Sequence, residues 1–384
     1  MTTVGVIGVG ELGSRLARRL RGGGYDVWAY DIDATALASL ATDDISVVDT
    51  IAELAERCHV VVTCVTDHHA VREVCLGADG MVAAARPGMV LIDTTTSLPS
   101  VTAAVADALA ERGGYLLDVP VSRGVPAAEQ GTLSAMVGGS EETYRAVLPL
   151  LRTFATDIAR VGDIGTGHAV KLWNMQLMAA HQVALTETLW RARNDGMSVA
   201  AAVAAFDDGQ ARTYLTSNHF PKFVLTGTYD SKFTTGLMRK DLALSLELGS
   251  ELGVPAPAAS NALAVYDQAC AAGLAPADNM RLVPFQLAMR AGAPAAEAAR
   301  AAQAAAGPPD PDEAHTDPTY LAKADADLSQ VNRTALDDVV AAIEAYGIPP
   351  EVALAMIAAS SGTSQHVAST LRCGQTAVRP PSTG

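Results

Sequence analysis

An N-terminal α/β domain with a parallel sheet, followed by an all-helical region, is predicted by three features of the sequence. An apolar run from Val4 to Val9 enters Gly8-Val9-Gly10-Glu11-Leu12-Gly13, and a second apolar run, Val27 to Tyr30, delivers Asp31. Beyond about residue 164, long helical stretches rich in alanine replace the short apolar runs. The order strand, tight turn, helix, strand, acid is that of a Rossmann-type dinucleotide site. Gly8 permits the turn, Gly10 lets backbone approach a pyrophosphate, and Gly13 lets the helix sit close to the sheet with its N–H groups toward the anion. Val9, Glu11 and Leu12 complete the cofactor-binding turn. Asp31 can accept both adenosine-ribose hydroxyls and would repel a 2'-phosphate, and Ile32, Asp33, Ala34 and Thr35 bring no compensating base, so the expected cofactor is NAD. An ordinary helix N-cap at Asp31 or Asp33 is compatible with the same fold and would leave that preference open.

The α/β pattern continues through Val47 and Val48, Val60 to Val65, Met89 to Ile92, Tyr115 to Asp118 and Leu133 to Val137, with helical stretches between them. Asp93-Thr94-Thr95-Thr96 ends one of these strands, where open parallel sheets line their ligand crevices. The nucleotide domain is placed at residues 1–163. Helices are expected over His168 to Asn194, Val199 to Phe206, Leu237 to Leu252 and Ala258 to Ala272, with Gly253-Val254-Pro255 as a stop, giving a helical substrate and dimerisation domain over 164–290. Residues 291–319 read as a linker containing Gly307-Pro308-Pro309, and 320–384 as a C-terminal helical extension whose last residues, from Gln375, fray. A faint echo runs through the second half: Ala184, Leu185, Glu187 and Gly196 recur at constant offset as Ala335, Leu336, Asp338 and Gly347. In so alanine-rich a chain, coincidence and a partial second copy of the helical unit both account for it.

Composition narrows the function. The 384 residues suffice for two or three domains, and the formal charge of -15 argues against nonspecific nucleic-acid binding. No apolar segment has membrane-spanning length, and the first strand begins without room for a signal helix, so the expected location is cytoplasmic. Cys58, Cys64, Cys75, Cys270 and Cys373 show no metal or disulfide spacing, and nothing around His68 and His69 makes a metal site. A small anionic metabolite bound by so acidic a chain needs local arginine or lysine.

Three later segments resemble the beta-hydroxyacid dehydrogenases, the family of 3-hydroxyisobutyrate and tartronate-semialdehyde enzymes, over roughly residues 3 to 275. They are Asp118-Val119-Pro120-Val121-Ser122-Arg123-Gly124, with Gly131-Thr132-Leu133 and Met136-Val137-Gly138-Gly139 behind it; Gly165-x-Gly167-x-x-x-Lys171; and Lys240-Asp241-Leu242. The resemblance makes Lys171 the catalytic residue. An alcohol oxidised by hydride loss must also lose its hydroxyl proton, and a lysine at that oxygen can stabilise the charge and exchange the proton; periodicity alone leaves an exposed helix lysine equally open. The resemblance also makes Ser122 and Gly124 a grip for the substrate carboxylate, Thr95 and Thr96 a polar pair near substrate and nicotinamide, and Lys240 a residue at the cofactor end; the residues alone leave open a strand-ending turn at 122–124, helix capping before Pro99 and an architectural charge pair of Lys240 with Asp241.

The chain departs from the family pattern in two places. Arg123 replaces a small glycine, and its guanidinium either binds a further anionic group, the preferred reading, or turns to the protein's own acids. The helical asparagine expected four residues after the lysine stands three after it as Asn174, with Met175 in the fourth place; both spacings share a helix face, so Asn174 stays a substrate-contact candidate. The resemblance implies reversible NAD-dependent oxidation of a small 3-hydroxy or hydroxymethyl-substituted acid in a homodimer or tetramer. A specialised imine or aldehyde-acid reductase, and a noncatalytic NAD-sensing or assembly protein, are the alternatives.

Overall fold

The computed structural model describes residues 2–40, 42–307, 315–360, 366–367 and 369–371. They fall into two units that divide between Lys171 and Leu172. The first is built on a nine-stranded sheet. Strands β1 (Thr3–Ile7), β2 (Asp26–Tyr30), β3 (Ser46–Val47), β4 (Val60–Thr63), β5 (Val90–Asp93) and β6 (Tyr115–Asp118) run parallel in the order β3-β2-β1-β4-β5-β6. The chain order reverses direction across β1 and β4, the switch point at which such sheets open a ligand crevice. Val4, Val6, Val62 and Ile92 are fully buried, as expected of strands covered on both faces. Helix α1 (Gly13–Gly22) turns Leu16, Ala17 and Leu20 into that core and its arginines outward.

Two further strands, β7 (Val121–Ser122) and β9 (Ala155–Gly162), join β8 (Leu133–Gly138) beyond β6. Sequence reading finds β8 and misses β7 and β9. β7 has only two residues, and β9 mixes Thr156, Asp157 and Arg160 into its apolar pattern because it lies at the sheet edge, half exposed.

The second unit is helical. Helix α2 (Thr166–Asn194) begins in the first unit and runs on into it, followed by α3 (Val199–Asp208), a π-helical segment Leu215–Val224, α4 (Thr235–Glu251) and α5 (Pro257–Ala269). Their apolar faces meet around Phe206, Phe220, Tyr266 and Phe285. The stretch read as a linker requires correction. Ala295–Ala304 is a helix, α6, with Ala298, Ala299 and Ala302 buried in the same core. A run of alanines looks featureless in composition, yet alanine is the strongest helix former and lets helices approach closely. The Arg281 guanidinium closes its end by donating to the carbonyls of Ala302 and Gln303 at 2.6 and 3.0 Å. The remainder of the linker reading, including Pro308 and Pro309, lies outside the described residues, as do Cys373 and the tail from Gln375. Helices α7 (Pro318–Tyr346) and α8 (Pro350–Ala359) follow, and Leu321 and Leu328 of α7 join the core of α2 to α6. No described helix is long and apolar enough to cross a membrane.

His181, buried in this unit, is held down to about 4 by loss of water, partly opposed by the Asn332 backbone. A folded value below the unfolded one of about 6.5 favours the fold when the ring is neutral. That stabilisation is present above pH 6.5 and is lost as pH falls toward 4. In denaturant titrations over this range, wild type should lose up to about 3 kcal/mol more than His181→Gln. Parallel pH profiles would contradict the neutral buried imidazole.

Candidate active site

The glycine turn is shaped by contacts that forbid side chains. Gly8 has φ +86°, and a Cβ there would strike the Cys64 carbonyl; one at Gly13 would strike the Gly8 carbonyl. Gly10 differs, since a Cβ there would meet nothing within 4 Å. That open face, at the start of a helix with no acid in its first turn, fits a pyrophosphate at the helix N-terminus. Leu12 is the N-cap and makes no side-chain capping bond, while Glu11 points outward to Arg15 at 2.9 Å. Asp31 follows the last residue of β2. Its carboxylate accepts from Val9 N–H at 2.7 Å and from Asp33 N–H at 2.9 Å, which ties it to the turn. The N-cap reading belongs to Asp33, which accepts from Thr35 N–H at 2.8 Å. Beside Asp31, Ile32 is 92% exposed. Turn, open face and acid together fit the phosphates and ribose of a dinucleotide.

Deeper in the unit, two acids stand at the carboxyl ends of adjacent strands, Asp93 opposite Asp118. Both are buried. Asp93 accepts from the Thr63 hydroxyl and from Thr95 N–H. Asp118 accepts from Gly165 N–H at 2.8 Å and His168 N–H at 2.9 Å, closing the first turn of α2. Burial pushes the Asp118 carboxyl above its ordinary value, and the neighbouring His168 ring and backbone donors pull it back. Gly167 has to be glycine here. A Cβ would press on the Met136 and Asp118 carbonyls and on the Asp118 carboxylate. The spacing Gly165-x-Gly167-x-x-x-Lys171 is thus the spacing of a helix start clamped to β6.

His168 completes the clamp. Its Nε2 donates to the Thr95 carbonyl at 2.6 Å, its Nδ1 lies 2.7 Å from the Thr102 hydroxyl, and Asp93 and Asp118 each place an oxygen 3.9 Å from the ring nitrogens. Sequence reading assigns no role to His168 or Asp118. The ring's partners lie 66 and 73 residues away, which no local spacing encodes.

One turn after His168, the Lys171 side chain reaches inward. It is 7% exposed, and its Nζ donates to Ser122 Oγ at 3.1 Å. Ser122 is held in β7 opposite Ser134. Next to it Arg123 and Gly124 both adopt left-handed backbone, with φ +82° and +70°, so the chain turns sharply into the helix Gly124–Gln130.

The inward reading of Arg123 needs correction. Its guanidinium pairs with Asp157 of β9 at 2.6 Å and donates to the Thr132 carbonyl at 3.0 Å. A neighbouring strand supplies the counter-charge, so the side chain is drawn to its own sheet edge. Thr95 is likewise engaged within the scaffold. Its hydroxyl accepts from Val65 N–H at 3.1 Å, whereas Thr96 is half-buried. In the second unit, Asn174 is buried with its amide 3.8 Å from Met175 Sδ, and Lys240 pairs with its neighbour Asp241 at 3.1 Å. Among the described residues no cluster of His, Cys, Asp or Glu is arranged to hold a metal ion.

Comparison with known proteins matches two successive segments of the chain. Residues 3–162 fit the family model of the NAD-binding domain of 6-phosphogluconate dehydrogenase, and 165–286 fit that of the NAD-binding domain of NADP-dependent 3-hydroxyisobutyrate dehydrogenase. The 2-(hydroxymethyl)glutarate dehydrogenase of Eubacterium barkeri is 31% identical over 280 residues, which are 73% of this chain and 93% of that one. The human mitochondrial 3-hydroxyisobutyrate dehydrogenase is 30% identical over 291 residues, 74% of this chain and 86% of its own. Among solved structures, the Mycobacterium tuberculosis 3-hydroxyisobutyrate dehydrogenase with L-serine superposes with a TM-score of 0.68 at 30% identity, covering 74% of this chain and 98% of that one. The chain therefore belongs to the beta-hydroxyacid dehydrogenase family, NAD(P)-dependent oxidoreductases that act on CH–OH groups.

Proposed function

We propose that this protein uses NAD to oxidise, reversibly, the alcohol of a small 3-hydroxy or hydroxymethyl-substituted acid to the aldehyde or keto acid. The observation that carries the reading is the buried Lys171 ammonium held on the Ser122 hydroxyl. When bound, the nicotinamide supplies the hydride acceptor, or the donor in reverse. Lys171 takes the other half of the reaction. As the carbon loses hydride, its hydroxyl gives up a proton to the lysine in its amine form, and the ammonium that results stabilises the alkoxide character left on the oxygen; in reduction the ammonium returns that proton. Ser122 and the backbone at Gly124 hold the substrate carboxylate, the serine supplying a hydroxyl and the left-handed turn beside it a backbone N–H, both donors suited to an anion. The names of the relatives support the substrate class: one acts on a hydroxymethyl diacid, another on a 3-hydroxy acid, and a solved relative was crystallised with L-serine, itself a 3-hydroxy acid.

The preference for NAD rests on Asp31. Its carboxylate stands at the end of β2 with Ile32 exposed beside it and no base among the next four residues. A ribose diol can donate to that carboxylate, a 2'-phosphate is repelled by it, and Ile32 offers apolar surface to a base ring.

With purified protein and a panel of hydroxy acids, Lys171→Met should retain NAD binding while turnover falls by about 10²–10⁴-fold. Turnover near wild type would remove the lysine from the chemistry. The ratio of kcat/KM should favour NAD over NADP by at least about tenfold, which requires only ~1.4 kcal/mol of discrimination. Asp31→Ser should narrow that ratio, and an initial preference for NADP would reverse the cofactor assignment. Because Arg123 is already paired, Arg123→Ala should change kcat/KM by less than about threefold for mono- and dianionic acids alike, the scale of a half-exposed ion pair. A loss confined to dianions would put the guanidinium back in the pocket.

A further inference from the structure

The residues beyond 286 lie outside both family matches, yet they repeat a part of the helical unit. Helix α2 has 29 residues and α3 has 10; α7 has 29 and α8 has 10. The turns joining each pair agree in detail. Gly196 and Gly347, 151 residues apart, are both left-handed, with φ +78° and +84°. After each glycine the next N–H reaches back to a carbonyl five residues earlier, Met197 to Ala192 and Ile348 to Ile343. Burial follows the same offset of 151: Leu177 and Leu328, Leu185 and Leu336, Ala192 and Ile343, Val203 and Leu354, Phe206 and Ile357 are all buried. Coincidence in an alanine-rich chain does not reproduce lengths, a cap and a burial register together.

The two copies also meet each other symmetrically. Equivalent residues of the two copies, Ala180 with Val331 and Ala184 with Ala335, line one shared groove. The His181 ring lies against the backbone of its own counterpart, Asn332. At one end of α2, Trp173 packs edge-on against Tyr346 near the end of α7, at 5.7 Å; reciprocally, Tyr320 near the start of α7 lies against Asp195 just past the end of α2. Self-facing positions at the centre and reciprocal contacts at the ends are the signature of a two-fold axis, the geometry of an isologous pair.

We propose that residues 317–359 are a second copy of residues 166–208 that has lost the chemistry and pairs with the first copy inside one chain. Position 322, equivalent to Lys171, is alanine, and Gly165 and Gly167 correspond to Thr316 and Pro318. The second copy can therefore clamp no strand end and carries no catalytic lysine. The face of α2 that would meet another chain about such an axis is covered by the protein's own α7. This replaces a homodimer built on the long helix with an intrachain pairing.

Full-length protein carrying Thr188→Cys and Val331→Cys, both lining the groove, tests the arrangement with a short bis-maleimide. Val331 is 48% exposed and Thr188 half-buried, and a mono-maleimide control establishes that both thiols react. The expected product has the mass of one chain and yields a linked peptide joining positions 188 and 331. Mixing the two single variants should give no linked pair of chains. Linked dimers from the mixture, or reactive thiols with no linkage between positions 188 and 331, would overturn the proposal.

Discussion

The buried Asp118 carboxylate fixes the first unit's chemistry in place. It stands at the end of β6 and accepts the N–H groups of Gly165 and His168, so a strand end and a helix start are joined by two bonds to a single charged group. Hydrogen bonds to a charged acceptor contribute roughly 1.5–3 kcal/mol each, enough to offset much of the cost of burying the carboxylate. Once that joint is made, Lys171 follows one helical turn behind His168, and its direction toward Ser122 is no longer free. The glycines at 138 and 167 are a consequence of the same joint. Each lies where a side chain would collide with Asp118.

His168 extends the joint sideways. It links the helix start to the Thr95 carbonyl after β5 and to Thr102 in the helix that follows, so elements at the carboxyl ends of β5 and β6 are tied to the helix start that carries Lys171. Proton transfer is sensitive to the placement of the acid by fractions of an ångström, and a lysine on a flexible four-carbon stem gains most from such bracing. The clamp and the catalytic lysine are thus two outcomes of one short stretch of chain.

Much of this was readable from the sequence where the physics is local. The glycine turn, the acid after β2 and the periodicities of α2, α3 and α4 are written in neighbouring residues, and the structure places those helices within a few positions of the expected bounds. What depends on distant partners was not readable. Arg123 finds Asp157 only because β9 lies beside β8, and β9 itself is hidden by its polar edge residues. The roles of Asp118 and His168 depend on strands and loops brought together by the sheet. Ala295–Ala304 was missed for another reason, since its run of alanines gives little apolar–polar contrast although alanine is the strongest helix former.

Leu321 and Leu328 belong to the same core as Phe206 and Leu215, and α7 is joined to that core through the polypeptide itself. Its effective concentration is set by chain length rather than by how much protein is present. A helix lent by a separate subunit leaves on dilution, exposing the apolar face it covered. Dilution cannot detach α7 in that way, so the apolar face it covers stays packed at the nanomolar concentrations of an enzyme assay as in a crowded solution.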